Sequence, residues 1–264
     1  MVSVIIPLYN AKKYICEAVA SALSQAYVKE ILVVDDNSTD GSAEYLMDWL
    51  NIQHPAASIP VLVIRNEKNQ GVAQARNIGV KNATAKYVAF LDADDRFVEG
   101  KLEKQVVLLE KTDACLCNTA RILIQEDGTQ TGKIIHTPER ITRKQMEKTN
   151  LITCSSVVAK REVMQEYPME HSEWHEDYLT WLRLLRKYEF VIGIDEPLVE
   201  YRLTENGKSR NKIKSAYMTY WTYRCAGYPI LKSCFMLCMY MLNGLKKYKF
   251  NEKFTGNSNT SGNQ

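Results

Sequence analysis

The sequence predicts an α/β fold organised around a parallel β-sheet. Short β-rich runs alternate with stretches whose apolar residues recur at helical spacing, and this unit repeats three times before a fourth strand. The apolar runs are continuous, which is typical of strands that helices cover on both faces. In open sheets of this kind ligands bind at the carboxyl ends of strands, so the polar residues that follow each strand are the first candidates for a functional site.

The predicted elements follow one another without an obvious linker. The first four strands are VSVIIPLY, EILVVDD, PVLVIRN and YVAFLDADD, and the helices between them are predicted over 11–26, 39–50 and 71–82. A helix over 101–110 leads into the strand ACLCNTARILI, with GKIIHT as its hairpin partner. The second half is less regular, and we expect it to continue the same sheet through a helix in HEDYLTWLRLLRKY and a strand in FVIGIDEPLVEYR.

The composition is that of an ordinary globular protein. Of the 264 residues, 45% are apolar and 25% charged, which excludes collagen-like, low-complexity and wholly disordered chains. The net charge of +3 is unevenly distributed, because the 11 lysines and arginines from Arg202 onward accompany only Glu205 and Glu252. A basic tail on an acidic body favours an anionic surface as partner. The start, MVSVIIPLYN, lacks the basic region and cleavage site of a signal peptide, so we expect a cytoplasmic protein.

Three carboxylates cluster in LDADDRF, at the end of the fourth strand. Asp92 and Asp94 flank a single residue, and this spacing allows two carboxylates of one turn to approach a hard divalent cation. A cation at this place neutralises a diphosphate. The alternative is that Asp94 or Asp95 caps a helix that begins near Arg96.

A second acidic turn, VVDDNSTDG, follows the second strand. Two adjacent aspartates cannot both face the core, so we expect Asp36 to point over the sheet edge, where it accepts a hydrogen bond from a ring N–H or a ribose hydroxyl. Ser38 or Asp40 then starts the next helix. The alternative is a plain strand-to-helix turn with side-chain caps.

The stretch NQGVAQARNIG opens the third helix but contains neither GxGxxG nor a Walker A sequence. Arg76 is either an exposed helix residue or a buried arginine. The small and apolar neighbours Ala75, Ile78 and Gly79 favour burial, and a buried arginine near acids indicates an anionic ligand or an ion pair.

Together, PLYN at 7–10, VVDDNSTDG, NQGVAQARNIG and LDADD resemble the family 2 glycosyltransferases in order and spacing. The resemblance covers roughly residues 2–205. It implies a GT-A fold, in which helices flank a Rossmann-like, mostly parallel sheet, with a UDP-sugar or other nucleotide-sugar donor, a divalent cation (Mn or Mg) and inversion at the anomeric carbon. The stretch YRLTENGKSRNK further resembles bacterial members that build O-antigen, capsule or teichuronic-type polysaccharides.

The resemblance assigns roles to individual residues. Asp94 holds the metal ion, Asp36 contacts the uracil and Arg76 lines the nucleotide pocket. The remaining predicted nucleotide-sugar contacts are Pro7 and Tyr9 beside the nucleoside, Asn10, Asp92 near ribose and sugar, and Arg202. The implied organisation is a catalytic domain over 1–212, with a nucleotide-binding half (1–100) and an acceptor half (101–212), then a helical amphipathic segment over 213–250 and a disordered tail over 251–264.

An inverting transfer also needs a general base on the acceptor side of the sugar. The candidate is Asp177, which opens an amphipathic helix together with Glu176, and the family has an acid pair of this kind with the aspartate as base. The alternative is that both acids only complement the helix dipole.

The sequence departs from the family at the end of the domain. Many members carry a histidine two residues after a YR pair, but Leu203 and Thr204 follow Arg202 here, so we expect the metal to use Asp94, diphosphate and water. Arg202, Lys208, Ser209 and Arg210 form a flexible loop over the donor diphosphate, face an acceptor diphosphate, or lie in a solvated loop.

From Ala216 to Phe250 the chain is rich in aromatic and large apolar residues, but its apolar runs are too short to span a bilayer. We expect an interfacial helix pair on the anionic cytoplasmic face of the inner membrane, with Lys246, Lys247 and Lys249 as basic anchors. The alternatives are packing on the catalytic domain and a homodimer interface. No nucleic-acid motif accompanies the charge, so we expect no nucleic-acid partner.

The sequence therefore predicts an inverting, metal-dependent glycosyltransferase that moves a hexose or N-acetylhexosamine from a UDP-sugar to a glycan acceptor, in particular an undecaprenyl-diphosphate-linked oligosaccharide. Two alternatives remain at this point. One is a nucleotidyltransferase of similar architecture, although PLYNAKKY lacks the glycine of its phosphate loop. The other is a non-catalytic sugar-nucleotide-binding protein, against which the presence of both Asp94 and Asp177 argues.

Overall fold

The computed structural model describes residues 1–54, 58–171, 173–204 and 212–255, and it describes the side chains of all these residues except 212 and 244–255. Lys208, Ser209 and Arg210 of the predicted loop, the side chains of Lys246, Lys247 and Lys249, and the last part of the predicted tail, 256–264, lie outside what is described.

One sheet joins both halves of the chain. Its strands within the described residues are β1 (Val2–Leu8), β2 (Val28–Asp35), β3 (Val61–Arg65), β4 (Tyr87–Phe90), β5 (Arg96–Phe97), β6 (Leu116–Ile124), β7 (Gln130–Ile135), β8 (Arg140–Thr142), β9 (Val158–Lys160) and β10 (Phe190–Arg202). The strand order is β3-β2-β1-β4-β9-β6-β10-β5, with β7 beside β6 and β8 beside β10. The first four strands, β6 and β10 share one direction, because β9 lies antiparallel between β4 and β6. The sheet is therefore mostly parallel, as predicted.

Helices cover both faces of this sheet. They are α1 (Ile15–Leu23), α2 (Ser42–Gln53), α3 (Val72–Asn82), α4 (Lys101–Glu110), α5 (Arg143–Met146), α6 (Arg161–Glu166), α7 (Glu176–Leu184), α8 (Lys212–Cys225) and α9 (Ile230–Thr255). Side chains of α1, α2 and α4 pack with Val4 and Ile6 of β1 in one core. Side chains of α3, α6 and α7 pack with Ile5 in the other core. The continuous apolar runs of the central strands thus reflect burial on two faces.

Three local predictions are wrong. The first helix begins at Ile15 instead of residue 11, because 11–14 form a turn that hydrogen bonds to the loop after β2. Strand β3 lies at the sheet edge, so Leu62 is 49% exposed and the strand is not covered on both faces. The two-residue strand β5, and not a helix, follows LDADD, so neither Asp94 nor Asp95 is a helix cap.

The C-terminal helices α8 and α9 pack on the domain through one face. Tyr223, Tyr228 and Met236 are buried in the same core as α7. Ile230, Leu231 and Phe235 point away from it and are exposed. Helix α9 continues to Thr255, past the end predicted at 250. Across the residues that the structure describes, every helix is too short or too polar to cross a bilayer.

Candidate active site

The loops after β1 and β2 meet at the carboxyl edge of the sheet and brace each other. The Asn10 backbone N–H donates to Ser38 Oγ at 3.0 Å, and the Thr39 N–H donates to Asn10 Oδ1 at 2.8 Å. Asn10 has a φ of 49°, a left-handed conformation that asparagine tolerates well. Its observed role is therefore to hold two loops together at the predicted nucleotide site.

Pro7 and Tyr9, the two residues predicted beside the nucleoside, differ in solvent accessibility. Pro7 is buried in β1, where it pairs with Val34 of β2. The last pair between β1 and β4 is formed by Ile5, so the missing N–H of Pro7 removes no hydrogen bond between these two strands. Tyr9, the next residue but one, is 51% exposed at the end of the strand. The Tyr9 ring is available to a ligand, whereas a contact between the buried Pro7 and a nucleoside stays a prediction.

Both aspartates of VVDDNSTDG are buried, so the expectation that only one of them faces inward is wrong. Asp35 Oδ1 accepts from the Ser38 N–H at 3.0 Å and thereby folds the turn. Asp36 accepts three hydrogen bonds of 2.7–2.9 Å, from the Asn66 side chain and from the backbone N–H groups of Gln70 and Gly71. A carboxylate has about four acceptor positions, and Asp36 uses three of them to hold the loop before α3. The next helix begins at Ser42, later than expected.

Asp92, Asp94 and Asp95 have three different environments. Asp95 is buried, and it accepts from Ser155 Oγ at 2.6 Å and from the Arg202 N–H at 3.0 Å. The side chain of Asp92 is 29% exposed and accepts from Arg76 Nη2 at 2.6 Å. Within the described part of the chain, no other residue donates a hydrogen bond to the Asp94 carboxylate. Asp94 is thus the acid with free acceptor capacity.

The electrostatics of this turn favour a cation. Burial, together with the neighbouring Asp92, raises the pKa of Asp94 to about 6. Burial and the charges of Asp94 and Asp92 raise the pKa of Asp95 well above its usual range. Because like charges in a partly desolvated turn repel one another, a bound cation would relieve the cost of ionising them.

The residues present fit a divalent ion only in part. Asp94 and Asp92 offer the oxygen ligands that Mg²⁺ and Mn²⁺ prefer. However, among the residues described there is no group of three His, Cys, Asp or Glu side chains placed to hold a metal ion. Nucleotide-bound Mg²⁺ commonly takes one or two carboxylates and completes its shell with phosphate oxygens and water, and the site fits that arrangement.

Arg76 is buried and connects the acidic turn to the helix of the predicted base. Its Nη1 donates to Glu176 Oε1 at 2.9 Å, and its Nη2 donates to Asp92. Helix α3 comes close to β1 because Gly79 has no side chain: a Cβ there would lie 2.3 Å from Ile5 Cγ2. The observed partners of Arg76 are therefore acids of the protein, so any contact with a nucleotide stays a prediction.

Asp177 lies in the first turn of α7. Its Oδ1 accepts from the N–H of the next residue, Tyr178, at 2.6 Å. Burial and the adjacent Glu176 raise the pKa of Asp177, while His175 and Arg76 oppose this rise. A carboxylate with a raised pKa is a stronger base than an ordinary aspartate, which suits a group that takes a proton from a hydroxyl.

Arg202 does not belong to a flexible loop, and this expectation is corrected. It ends β10, its side chain is 1% exposed, and its backbone N–H binds Asp95. Its guanidinium donates to the carbonyl oxygens of Asp94 and Glu126 at 2.8 Å and to Glu17 Oε2 at 2.7 Å. The hydrogen bonds of the arginine therefore hold the acidic turn in place, and a contact with a diphosphate stays a prediction.

Three residues of the site were missed from the sequence. Ser155 donates to Asp95 and accepts from the Asp92 N–H at 3.1 Å, and nothing in the run TCSSVV distinguishes it. Glu176 is predicted as the companion acid of Asp177 or as a helix-dipole acid, and its pairing with Arg76 is not foreseen. Arg121 has a recognisable signal, a charged residue inside the apolar strand run ACLCNTARILI, and it lies in the electrostatic neighbourhood of Asp95 and Asp177.

The family model for glycosyl transferase family 2 matches residues 3–167, which include the acidic turns and Arg76. The chain belongs to glycosyltransferase family 2. This membership confirms the resemblance and shows that the protein is a glycosyltransferase and not a nucleotidyltransferase. One relative in sequence is TuaG of Bacillus subtilis (strain 168), which is named as a teichuronic acid biosynthesis glycosyltransferase. The two chains are 37% identical over 249 residues, which cover 94% of this chain and 97% of TuaG.

A second relative and two solved structures extend the comparison. The Escherichia coli protein WfaP, named UDP-Glc:alpha-D-GlcNAc-diphosphoundecaprenol beta-1,3-glucosyltransferase, is 32% identical over 251 residues, 95% of this chain and 96% of WfaP. S. aureus TarS 1-349 in complex with UDP-GlcNAc superposes with a TM-score of 0.67 at 17% identity, over 91% of this chain and 71% of that one. The mannosyltransferase PcManGT of Pyrobaculum calidifontis, in complex with GDP-Man and Mn²⁺, superposes with a TM-score of 0.64 at 19% identity, over 90% of this chain and 68% of that one. At these identities the structures show a shared fold.

Proposed function

We propose that this glycosyltransferase moves a hexose or N-acetylhexosamine from a UDP-sugar to an undecaprenyl-diphosphate-linked glycan, with inversion at the anomeric carbon and with a divalent cation. The observation that carries the proposal is the arrangement around Arg76. This one side chain bridges Asp92 of the acidic turn and Glu176 beside Asp177, so it links the acidic turn to the helix that carries the proposed base. WfaP, with its diphosphoundecaprenol acceptor, supports the acceptor class.

The chemistry is a single displacement. Asp177 takes the proton of an acceptor hydroxyl while that oxygen forms a bond to the anomeric carbon. The bond from this carbon to the UDP oxygen breaks on the opposite face, and its electron pair leaves with UDP. Attack from the face opposite the leaving group inverts the anomeric configuration. The raised pKa of Asp177 strengthens it as the proton acceptor.

The donor end of the site has to stabilise the departing diphosphate. Asp94, with Asp92 beside it, would hold the divalent cation, whose charge offsets the negative charge on the UDP oxygens when it is bound. Asp95 and Arg202 keep the acidic turn in position through their mutual hydrogen bond. Asp36 holds the loop around Gln70 and presents its remaining acceptor position to the base of the nucleotide.

The proposal extends to the cytoplasmic face of the inner membrane. The outer face of α8 and α9 carries Ile213, Ile230, Leu231 and Phe235, with exposures of 84%, 58%, 86% and 66%. Leu231 and Phe235 are four residues apart and share one face of α9, and large apolar side chains exposed together are typical of an interaction site. A polyprenyl-linked acceptor lies in the bilayer, so a membrane-facing surface next to the catalytic domain brings the two together.

Vesicle sedimentation tests the membrane assignment. Leu231→Ser with Phe235→Ser is expected to reduce binding to anionic vesicles, whereas the matched double variant Leu62→Ser with Ile52→Ser, on the far side of the domain, leaves it unchanged. The membrane assignment would be replaced by a dimer interface under two results. The wild type would fail to bind vesicles, and sedimentation velocity would show a homodimer for the wild type but a monomer for the variant with Leu231→Ser and Phe235→Ser.

A donor screen tests the central proposal. UDP release is measured with UDP-glucose, UDP-galactose, UDP-N-acetylglucosamine and UDP-N-acetylgalactosamine, with and without Mn²⁺, and with and without a synthetic lipid-diphosphate sugar acceptor. We expect one donor to turn over only when both metal and acceptor are present. Turnover that needs no metal would remove the cation from the proposal, and a failure to bind any UDP-sugar would overturn it.

A further inference from the structure

Arg121 is a cation near the acidic turn, and among the described residues it has no counter-ion. It lies in β6, three residues before the strand ends at the edge that carries the acidic turn. The side chain is half-buried, and its Nε is shielded from solvent without a hydrogen-bond partner. Within the described residues no carboxylate comes within ion-pair distance of its guanidinium.

The surroundings of Arg121 keep it in position without neutralising it. Its guanidinium carbon lies 5.5 Å from the centroid of the Tyr201 ring, which supports it by a cation–π contact. Asp95 and Asp177 are near enough to act on it electrostatically, but Asp95 is occupied by Ser155 and by the Arg202 N–H. Burial lowers the pKa of Arg121, and Tyr201, Asp95 and Asp177 act in the opposite direction.

A partly buried guanidinium without a counter-ion is well suited to bind an anion. Arginine stays protonated in proteins, so Arg121 does not escape the cost of burial by losing its proton. An unpaired N–H out of reach of water costs free energy, and an incoming acceptor recovers it. Phosphate oxygens match the planar fork of a guanidinium with two parallel hydrogen bonds, and the proposed reaction brings diphosphates to this cleft.

We propose that Arg121 is a substrate-binding residue that donates hydrogen bonds to a phosphate oxyanion between the acidic turn and Asp177. The inference rests on the proposed function, which supplies two sources of this group, the diphosphate of the UDP-sugar and that of the lipid-linked acceptor. Both present the same chemistry to the guanidinium. The charges of both Asp95 and Asp177 act on Arg121, so its surroundings admit either source.

The experiment compares Arg121→Gln and Arg121→Lys with wild type. The matched control is Arg140→Gln, because Arg140 also stacks on an aromatic ring, at 4.3 Å from Phe190, but lies on β8 away from the cleft. For the donor, dissociation constants are measured for UDP and for uridine. For the acceptor, KM is measured with the lipid-diphosphate sugar and with an alkyl glycoside of the same sugar. Thermal unfolding of each variant accompanies these measurements.

We expect Arg121→Gln to weaken one phosphate-containing ligand roughly tenfold to a hundredfold, the range for a hydrogen bond to a charged group, and to leave its phosphate-free counterpart unchanged. Arg121→Lys should retain part of the affinity, because lysine keeps the charge but not the fork. A loss with UDP and not uridine assigns the donor diphosphate. A loss with the lipid diphosphate and not the alkyl glycoside assigns the acceptor diphosphate.

If Arg121→Gln weakens the phosphate-containing ligands and their phosphate-free counterparts equally, or weakens neither, the inference is overturned. The proposed function would still stand in that case, provided that the wild type turns over. Failure of the wild type to bind UDP and to use the lipid-diphosphate acceptor would overturn both. Uniform losses that accompany a lowered melting temperature would show a structural role for Arg121 and would equally contradict phosphate binding.

Discussion

Arg76 on α3 donates a 2.9 Å hydrogen bond to Glu176, the residue directly before the proposed base Asp177. The other terminal nitrogen of Arg76 donates to Asp92 at 2.6 Å. Burial would lower the pKa of Arg76, but Cys154 and the two carboxylates hold it well above its usual value. A permanently charged side chain therefore fixes the distance between the acidic turn and helix α7.

Replacing Arg76 is expected to destabilise the protein. In Arg76→Met the carboxylate of Glu176 stays buried without this partner, and breaking a buried ion pair costs about 3–5 kcal/mol in the free energy of unfolding. Urea denaturation measures this cost. The control is Lys187→Met, since Lys187 is half-exposed and pairs with the equally exposed Glu166, so its loss should cost less than about 1 kcal/mol. Similar costs for both variants would contradict a structural bridge at Arg76.

Replacing Asp94 is expected to abolish the metal dependence of nucleotide binding. Asp94→Asn removes the carboxylate that has free acceptor capacity, so UDP should bind the variant equally in Mn²⁺ and in EDTA. Isothermal titration calorimetry measures both constants, and Asp48→Asn, an exposed acid on α2, is the control. Metal-dependent UDP binding that survives in Asp94→Asn would show that the cation is held elsewhere.

The pH below which the transfer activity is lost should be higher than the usual pKa of an aspartate. A base works only when it is deprotonated, and burial with Glu176 raises the pKa of Asp177. As the pH falls through this raised pKa, kcat/KM for the acceptor should decrease, starting at a pH higher than about 4, the usual aspartate value. UDP binding over the same pH range separates this effect from loss of the donor. An acid limb at or below pH 4 would contradict the base role.

The configuration of the product tests the single displacement. The anomeric carbon of a UDP-hexose such as UDP-glucose is α-linked, so inversion gives a β-glycoside. The coupling constant of the anomeric proton, measured by NMR on the isolated product, distinguishes the two anomers. An α-linked product would indicate retention and would exclude direct attack assisted by Asp177.

Much of the fold follows from local sequence patterns. The helix over 101–110 and the strand over 190–202 have the predicted bounds, because apolar periodicity and flanking turns define them. The acidic clusters at Asp36 and Asp92 were also recognisable, since both follow apolar strands. Ordered motifs of this kind carry the family, which the match over residues 3–167 confirms.

The partners of the site residues depend on contacts between distant parts of the chain, which no local pattern encodes. Arg76 and Glu176 are 100 residues apart, and Asp95 and Arg202 are 107 apart. The sequence identified Arg202 as a basic residue near a loop, but only the sheet places its backbone N–H on Asp95. The edge position of β3 likewise depends on strand order and not on its own apolar run.

The most direct test of the account compares wild type with Asp177→Asn in two assays on the same preparation. UDP release in the presence of the lipid-diphosphate acceptor reports the transfer, and calorimetry reports UDP binding. We predict that the variant binds UDP with unchanged affinity while transfer falls by about a hundredfold to ten-thousandfold, the usual contribution of a general base. Transfer by Asp177→Asn at the wild-type rate would contradict it.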